Sequence, residues 1–98
     1  MNPSMMRQAR ELEAKLAKAQ QELEHATVEA GAGGGAVKIV ITGHQKVQKV
    51  SISPEAVDPT AIDLLEDLVM TAVNEAIARS QEMAQKKLTS VTGLRLPF

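Results

Sequence analysis

Met5, Ala9, Leu12, Leu16, Ala19, Leu23 and Ala26 recur at alternating spacings of four and three, with Arg, Lys, Glu and Gln filling most positions between them. That period marks one face of an α-helix, and its narrow width suits packing against another helix. The spacing predicts a helix over residues 4 to about 25, N-capped by Ser4 and free of Gly and Pro inside. From Ala26 the period changes to two. "ATVEA" sets Ala26, Val28 and Ala30 on one face, and "AVKIVITG" sets Val37, Ile39 and Ile41 opposite Lys38, Val40 and Thr42. "VQKVSIS" alternates through Val50 and Ile52, but Val47 has the wrong parity, which a β-bulge would correct. The connections "GAGGGA" and "GHQK" are short enough to predict a three-stranded antiparallel meander over residues 26–53.

"SPEAVDP" ends the sheet, because its two prolines exclude a continuing ladder. Asp58 before Pro59 reads as an N-cap with proline at N1, and Thr60 with Asp63 offers an alternative capping box. The second helix then runs from about 60 to 89. Its first half is apolar over a wide face, from Ala61, Ile62, Leu64, Leu65, Leu68 and Val69 to Ala72, Val73, Ala76 and Ile77. Beyond Arg79 only Met83, Ala84 and Leu88 continue the stripe. A wide face suits a sheet and a narrow one suits a helix, so one helix serves both. Residues 90–98 read as a tail.

The helices span about 33 and about 45 Å at 1.5 Å per residue. A six-residue strand covers only about 20 Å. Both helices therefore overhang the sheet. If they pack antiparallel, residues 4–18 come to lie beside residues 79–90. The fold class expected is α+β, in the order α-β-β-β-α, as a single domain spanning residues 1–98.

Composition adds two points. Of 98 residues, 14 are alanine and only Phe98 is aromatic, so a monomeric core is thin and at least a dimer is expected. With no cysteine there is neither a disulfide nor a thiolate metal site, and no signal-peptide or membrane-spanning segment is read, which predicts a cytoplasmic protein.

Candidate chemistry is sparse. "GAGGGA" fits G-x-G-x-x-A, but a dinucleotide site needs a helix after it, and here a strand follows. No G-K-[ST] completes a P-loop. His25 and His44 read as surface histidines. Ser51, Ser53 and Ser80 have no nucleophile context. Asp63, Glu66 and Asp67 complement the helix dipole at a helix start. No enzyme, cofactor or metal site is expected.

Charge is more telling. Net charge is −1, yet it is unevenly spread. Arg7, Arg10, Lys15 and Lys18 outnumber Glu11 and Glu13 near the N-terminus. Lys38, Lys46 and Lys49 lie in a stretch without acids, residues 36–53. Six acids and no base fill residues 54–78, and Arg79, Lys86, Lys87 and Arg95 follow. If the helix ends meet, Arg7, Arg10, Lys15, Lys18, Arg79, Lys86 and Lys87 form a cluster suited to duplex phosphates. The near absence of aromatics argues against stacking on single strands.

The order of the segments "MRQARELEAKLAKAQQELE", "VKIVITGHQKVQKVSISPE", "DLLEDLVMTAVNEAIARSQE" and "LTSVTGLRLPF" resembles the YbaB/EbfC family of bacterial nucleoid-associated proteins over essentially the whole chain. The resemblance implies tweezer-like homodimers with a central β region and protruding helices that bind duplex DNA. It also implies nucleoid association and roles in nucleoid organisation, transcription or recombination repair, with recombination or replication proteins as further partners. The N-terminus departs from the family in lacking its Gly/Met/Asn-rich leader. Two other readings stay open: an adaptor docking a replication or repair protein through its arms or the apolar "GLRLPF" tail, and a coiled-coil assembly protein.

Overall fold

The computed structural model describes residues 2–93; the end of the expected tail, 94–98, lies outside them. The element order is α1 (Pro3–His25), β1 (Thr27–Ala32), β2 (Val37–Thr42), β3 (Val47–Ile52) and α2 (Ile62–Thr92), with a single 3₁₀ turn at Pro54–Ala56. This is the expected α-β-β-β-α chain. It is elongated, measuring 69 × 24 × 16 Å.

α1 begins earlier than Ser4 because Asn2 caps it. The Asn2 side chain accepts a 2.8 Å hydrogen bond from the Met5 amide, and Pro3 stands in the first turn, where a missing N–H costs nothing. Of its apolar seam, only Ala19 and Leu23 are buried and Leu16 is half-buried, while Met5 and Leu12 remain exposed.

The sheet is a meander in the order β1-β2-β3, antiparallel throughout. Val37, Ile39 and Ile41 face α2 and are buried. β3 pairs Ile52 with Val37, Val50 with Ile39 and Lys49 with Val40, but Val47 with Ile41. Gln48 is thus the extra residue of a bulge, and Val47 returns to the face of Val50 and Ile52. The β1–β2 turn places Gly33, Gly34 and Gly35 at φ 66, 66 and 94, a left-handed path that favours glycine. The glycine run in "GAGGGA" is therefore a hairpin connection.

Ala72 and Ala76 of α2 pack on Ala30 of β1 and on Val37, Ile39 and Ile41 of β2, with Leu65, Leu68, Val69, Val73 and Ile77 around them. α2 lies mainly over β1 and β2. Val50 and Ile52 share that face but remain 52% and 42% exposed. Burial of the expected wide apolar face is also incomplete, since Ile62 and Leu64 stay exposed.

Neither expected cap forms at the start of α2. Asp58 Oδ1 accepts from the Thr60 amide at 2.9 Å and from its hydroxyl at 2.7 Å, closing a local Asx turn. These bonds, the amide first, hold the Asp58 carboxyl below its ordinary range. With Asp58 engaged upstream, Ala61 stands at the N-cap without a side-chain bond, and the helix starts at Ile62. α2 continues three residues past 89 and stops at Thr92, where Gly93 adopts φ 71 and its amide bonds Thr89 O.

Candidate nucleic-acid interface

α1 is fastened to the body at its last two turns. Leu23 is buried against Gly43, whose amide donates to the carbonyls of Leu23 at 2.9 Å and Ala26 at 3.1 Å. His44 Nε2 bonds Gln20 Oε1 at 2.9 Å, tying the β2–β3 turn to the helix. On the other flank Lys87 of α2 pairs with Glu22. The Lys87 hydrogen bond, followed by the Lys87 and Lys18 charges, holds the Glu22 carboxyl below its usual range.

This junction sets how far the two helices run together. Arg10 and Arg7 lie about 18 and 22 Å along α1 from Glu22, at 1.5 Å per residue. Past Lys87, α2 continues only about 7.5 Å to Thr92. All of residues 3–15 are exposed. The expected meeting of basic segments is therefore confined to the base, where Lys18, Glu22 and Lys87 come together. Arg7 and Arg10 stand beyond the described end of α2.

The seven expected site residues separate into two groups. Arg7, Arg10, Lys15 and Lys18 are exposed, and none forms an ion pair among the described residues. At about 100° per residue, Arg7 and Arg10 fall within about 60° of each other, opposite the seam, while Lys18 lies about 40° around the helix from Glu22, on the flank toward Lys87. The α2 cations are each engaged with a carboxylate. Arg79 Nε bonds Glu75 at 3.1 Å and its Nη1 donates to the Glu29 carbonyl at 2.7 Å, which holds it at the sheet edge. Lys86 pairs with Glu82 at 3.0 Å, and Lys87 with Glu22.

Three further cations have the character of the first group. Lys38, Lys46 and Lys49 are exposed and have no ion pair among the described residues. Their acid-free segment and strand alternation were both visible in the sequence; the face they share was not. Among the described residues no group of three or more His, Cys, Asp or Glu side chains is placed to hold a metal ion, and no helix is long and apolar enough to cross a membrane.

Residues 1–94 match the YbaB/EbfC DNA-binding family. A nucleoid-associated protein of Moorella thermoacetica is 46% identical over 94 residues, covering 95% of this chain and 90% of its own. Another from Ruminiclostridium cellulolyticum is 41% identical over 90 residues, covering 92% of this chain and 78% of its own. The crystal structure of an uncharacterized protein from Helicobacter pylori superposes with a TM-score of 0.73 at 14% identity, covering 88% of this chain and 91% of that one. At that identity the likeness is one of fold.

Proposed function

The chain belongs to the YbaB/EbfC DNA-binding family, and from that premise we propose that it binds duplex DNA as a homodimer, gripping phosphates chiefly with the cations of α1. The observation that carries this reading is the state of Arg7, Arg10, Lys15 and Lys18. They are exposed, form no salt bridge among the described residues, and are borne on a helix that projects past the body; Lys18, at the base, lies close enough to Glu22 for its charge to act on that carboxylate. Arg79, Lys86 and Lys87 take a secondary part, because an approaching phosphate must displace a carboxylate already bound to each. The action is binding without catalysis, and its place is the nucleoid, with which the names of the relatives associate those proteins.

The dimer is supported by β3. Val47, Val50 and Ile52 are 46%, 52% and 42% exposed along an edge strand. An open apolar strand edge invites association, and a second copy of the chain covers it. Two copies then present two α1 arms to one duplex.

The test is a salt series with charge-reversed variants. Each phosphate contact contributes about −0.9 to the slope of log K against log salt. Arg7→Glu with Arg10→Glu is expected to lower affinity more than Lys86→Glu with Lys87→Glu, with solution mass unchanged. Binding that is indifferent to salt, or an Arg7/Arg10 variant that binds like the parent, overturns the reading.

A further inference from the structure

Lys38, Lys46 and Lys49 belong to one surface. Register fixes this: Lys49 lies opposite Val40, and Lys38 opposite Ser51 one row further along. The Thr42 amide bonds the Lys46 carbonyl at 2.9 Å, which sets Lys46 opposite Thr42 at the other end. Lys38, Val40 and Thr42 alternate with the buried Val37, Ile39 and Ile41, so all three lysines occupy the face of the sheet turned away from α2. The three rows extend over about 13 Å at roughly 3.3 Å per residue. Glu29, opposite Val40 on β1, is the acid on this face.

This face and the basic side of α1 look the same way. α2 packs through Ala72 and Ala76 on one side of the sheet, and further along it meets α1 at Leu23 of the seam and at Glu22 beside it. Whatever lies opposite α2, on the sheet or on α1, is therefore on one side of the molecule. Arg7 and Arg10 lead along α1 to the sheet, where Lys46, Lys49 and Lys38 continue the line. The opposite side has the contrary charge. Asp63 and Asp67 are exposed on the side of α2 away from the buried Ala72 and Ala76, and Glu66 is exposed on its flank.

We propose that the helix-free face of the sheet, through Lys38, Lys46 and Lys49, is a second phosphate-binding surface that carries the duplex from the α1 arm onto the body. The proposal rests on the DNA-binding reading above, and charge complementarity selects the occupant. A duplex presents about one phosphate charge per 1.7 Å of axis, so a row of this length faces several. Lysines with no carboxylate to displace release counterions without breaking a protein ion pair.

Two measurements on the full chain test it, with a labelled duplex as the probe. In a salt series, Lys38→Gln, Lys46→Gln and Lys49→Gln combined are expected to reduce the steepness of log K against log salt by up to about 2.7, three contacts at about 0.9 each. A triple variant equal to the parent in affinity and slope overturns the proposal. If the Arg7/Arg10 variant is weakened in the same series, the arm reading survives that loss; if only the triple variant is weakened, the sheet face stands and the arm reading falls. The second measurement needs no variant. Acetylation of Lys38, Lys46 and Lys49, followed by mass spectrometry, is expected to slow at least several-fold when the duplex is bound. Equal reactivity with and without DNA overturns the proposal.

Discussion

Ser80 Oγ donates a 2.7 Å hydrogen bond to the carbonyl oxygen of Thr42, with both residues buried, at the point where α2 leaves the sheet. The bond joins the end of β2 to the middle of α2, next to the turn that receives α1. Ser80→Ala removes the donor but leaves the Thr42 carbonyl the Gln45 amide at 3.1 Å. The loss is therefore expected near about 1 kcal/mol rather than the larger cost of an orphaned carbonyl. For a domain of this size that lowers Tm by about 4–8 °C, to be read by circular dichroism.

Gly43 and Gly34 offer a contrast between two kinds of glycine. A Cβ on Gly43 meets Leu23 Cδ2 at 2.6 Å and the Leu23 carbonyl at 2.9 Å, while one on Gly34 meets nothing within 4 Å but stands on φ +66. Gly43→Ala is expected to cost about 1–3 kcal/mol by pushing α1 off its seat. Gly34→Ala is expected to cost about 1–2 kcal/mol from backbone strain alone. Denaturant melts give both losses. Amide-proton shifts separate them, since only the Gly43 variant should perturb Leu23 and Gln20.

Acid is expected to loosen the arm. Lys87 depresses the Glu22 carboxyl, so the stabilisation from this pair is present above the unfolded carboxyl pKa and is lost as pH falls through the lower, folded value. Carboxyl ¹³C titration should find Glu22 with a midpoint below an ordinary glutamate. Lys87→Met should move that midpoint upward.

Val50→Glu with Ile52→Glu places two charges on side chains that the single chain leaves about half exposed. The variant is expected to fold and to run at the monomer mass in light scattering, with weaker DNA binding through loss of the second arm. A variant that remains dimeric shows that the copies meet elsewhere.

Deleting Gln48 is expected to be well tolerated. The pairs Lys49 with Val40 and Val47 with Ile41 flank it, so its removal closes the ladder without changing which face either residue occupies. The melting midpoint of the deletion should stay within a few degrees of the parent. Deleting Val50 instead shifts the parity of one end of β3 and should unfold the strand.

The elements were legible because their periods were. The 4-3 seam of α1, the alternation of β2 and the parity break at Val47 each left one reading open. The start of α2 was not legible, because Asp58 had a nearer donor in Thr60 than any helix amide, and sequence does not rank two local bonds. Pairing of the cations was legible in part. Glu75–Arg79 and Glu82–Lys86 carry the four-residue spacing that helices favour. Glu11 and Lys15 share that spacing without forming an ion pair, so spacing permits a bridge without fixing one. Glu22–Lys87 joins two helices 65 residues apart and depends on how they pack. The lysines of the sheet lay in plain view, but which face they shared waited on the side that α2 took.

The acids along the outside of α2 have a consequence for crowded DNA. A duplex coated through the basic side of this protein shows its surroundings Asp63 and Asp67 in place of part of its phosphate surface. Two coated duplexes then confront each other as carboxylate against carboxylate, softened only by counterions within about 10 Å at moderate salt. Coating in this orientation spaces neighbouring duplexes apart, and bundling them calls for multivalent cations or another protein.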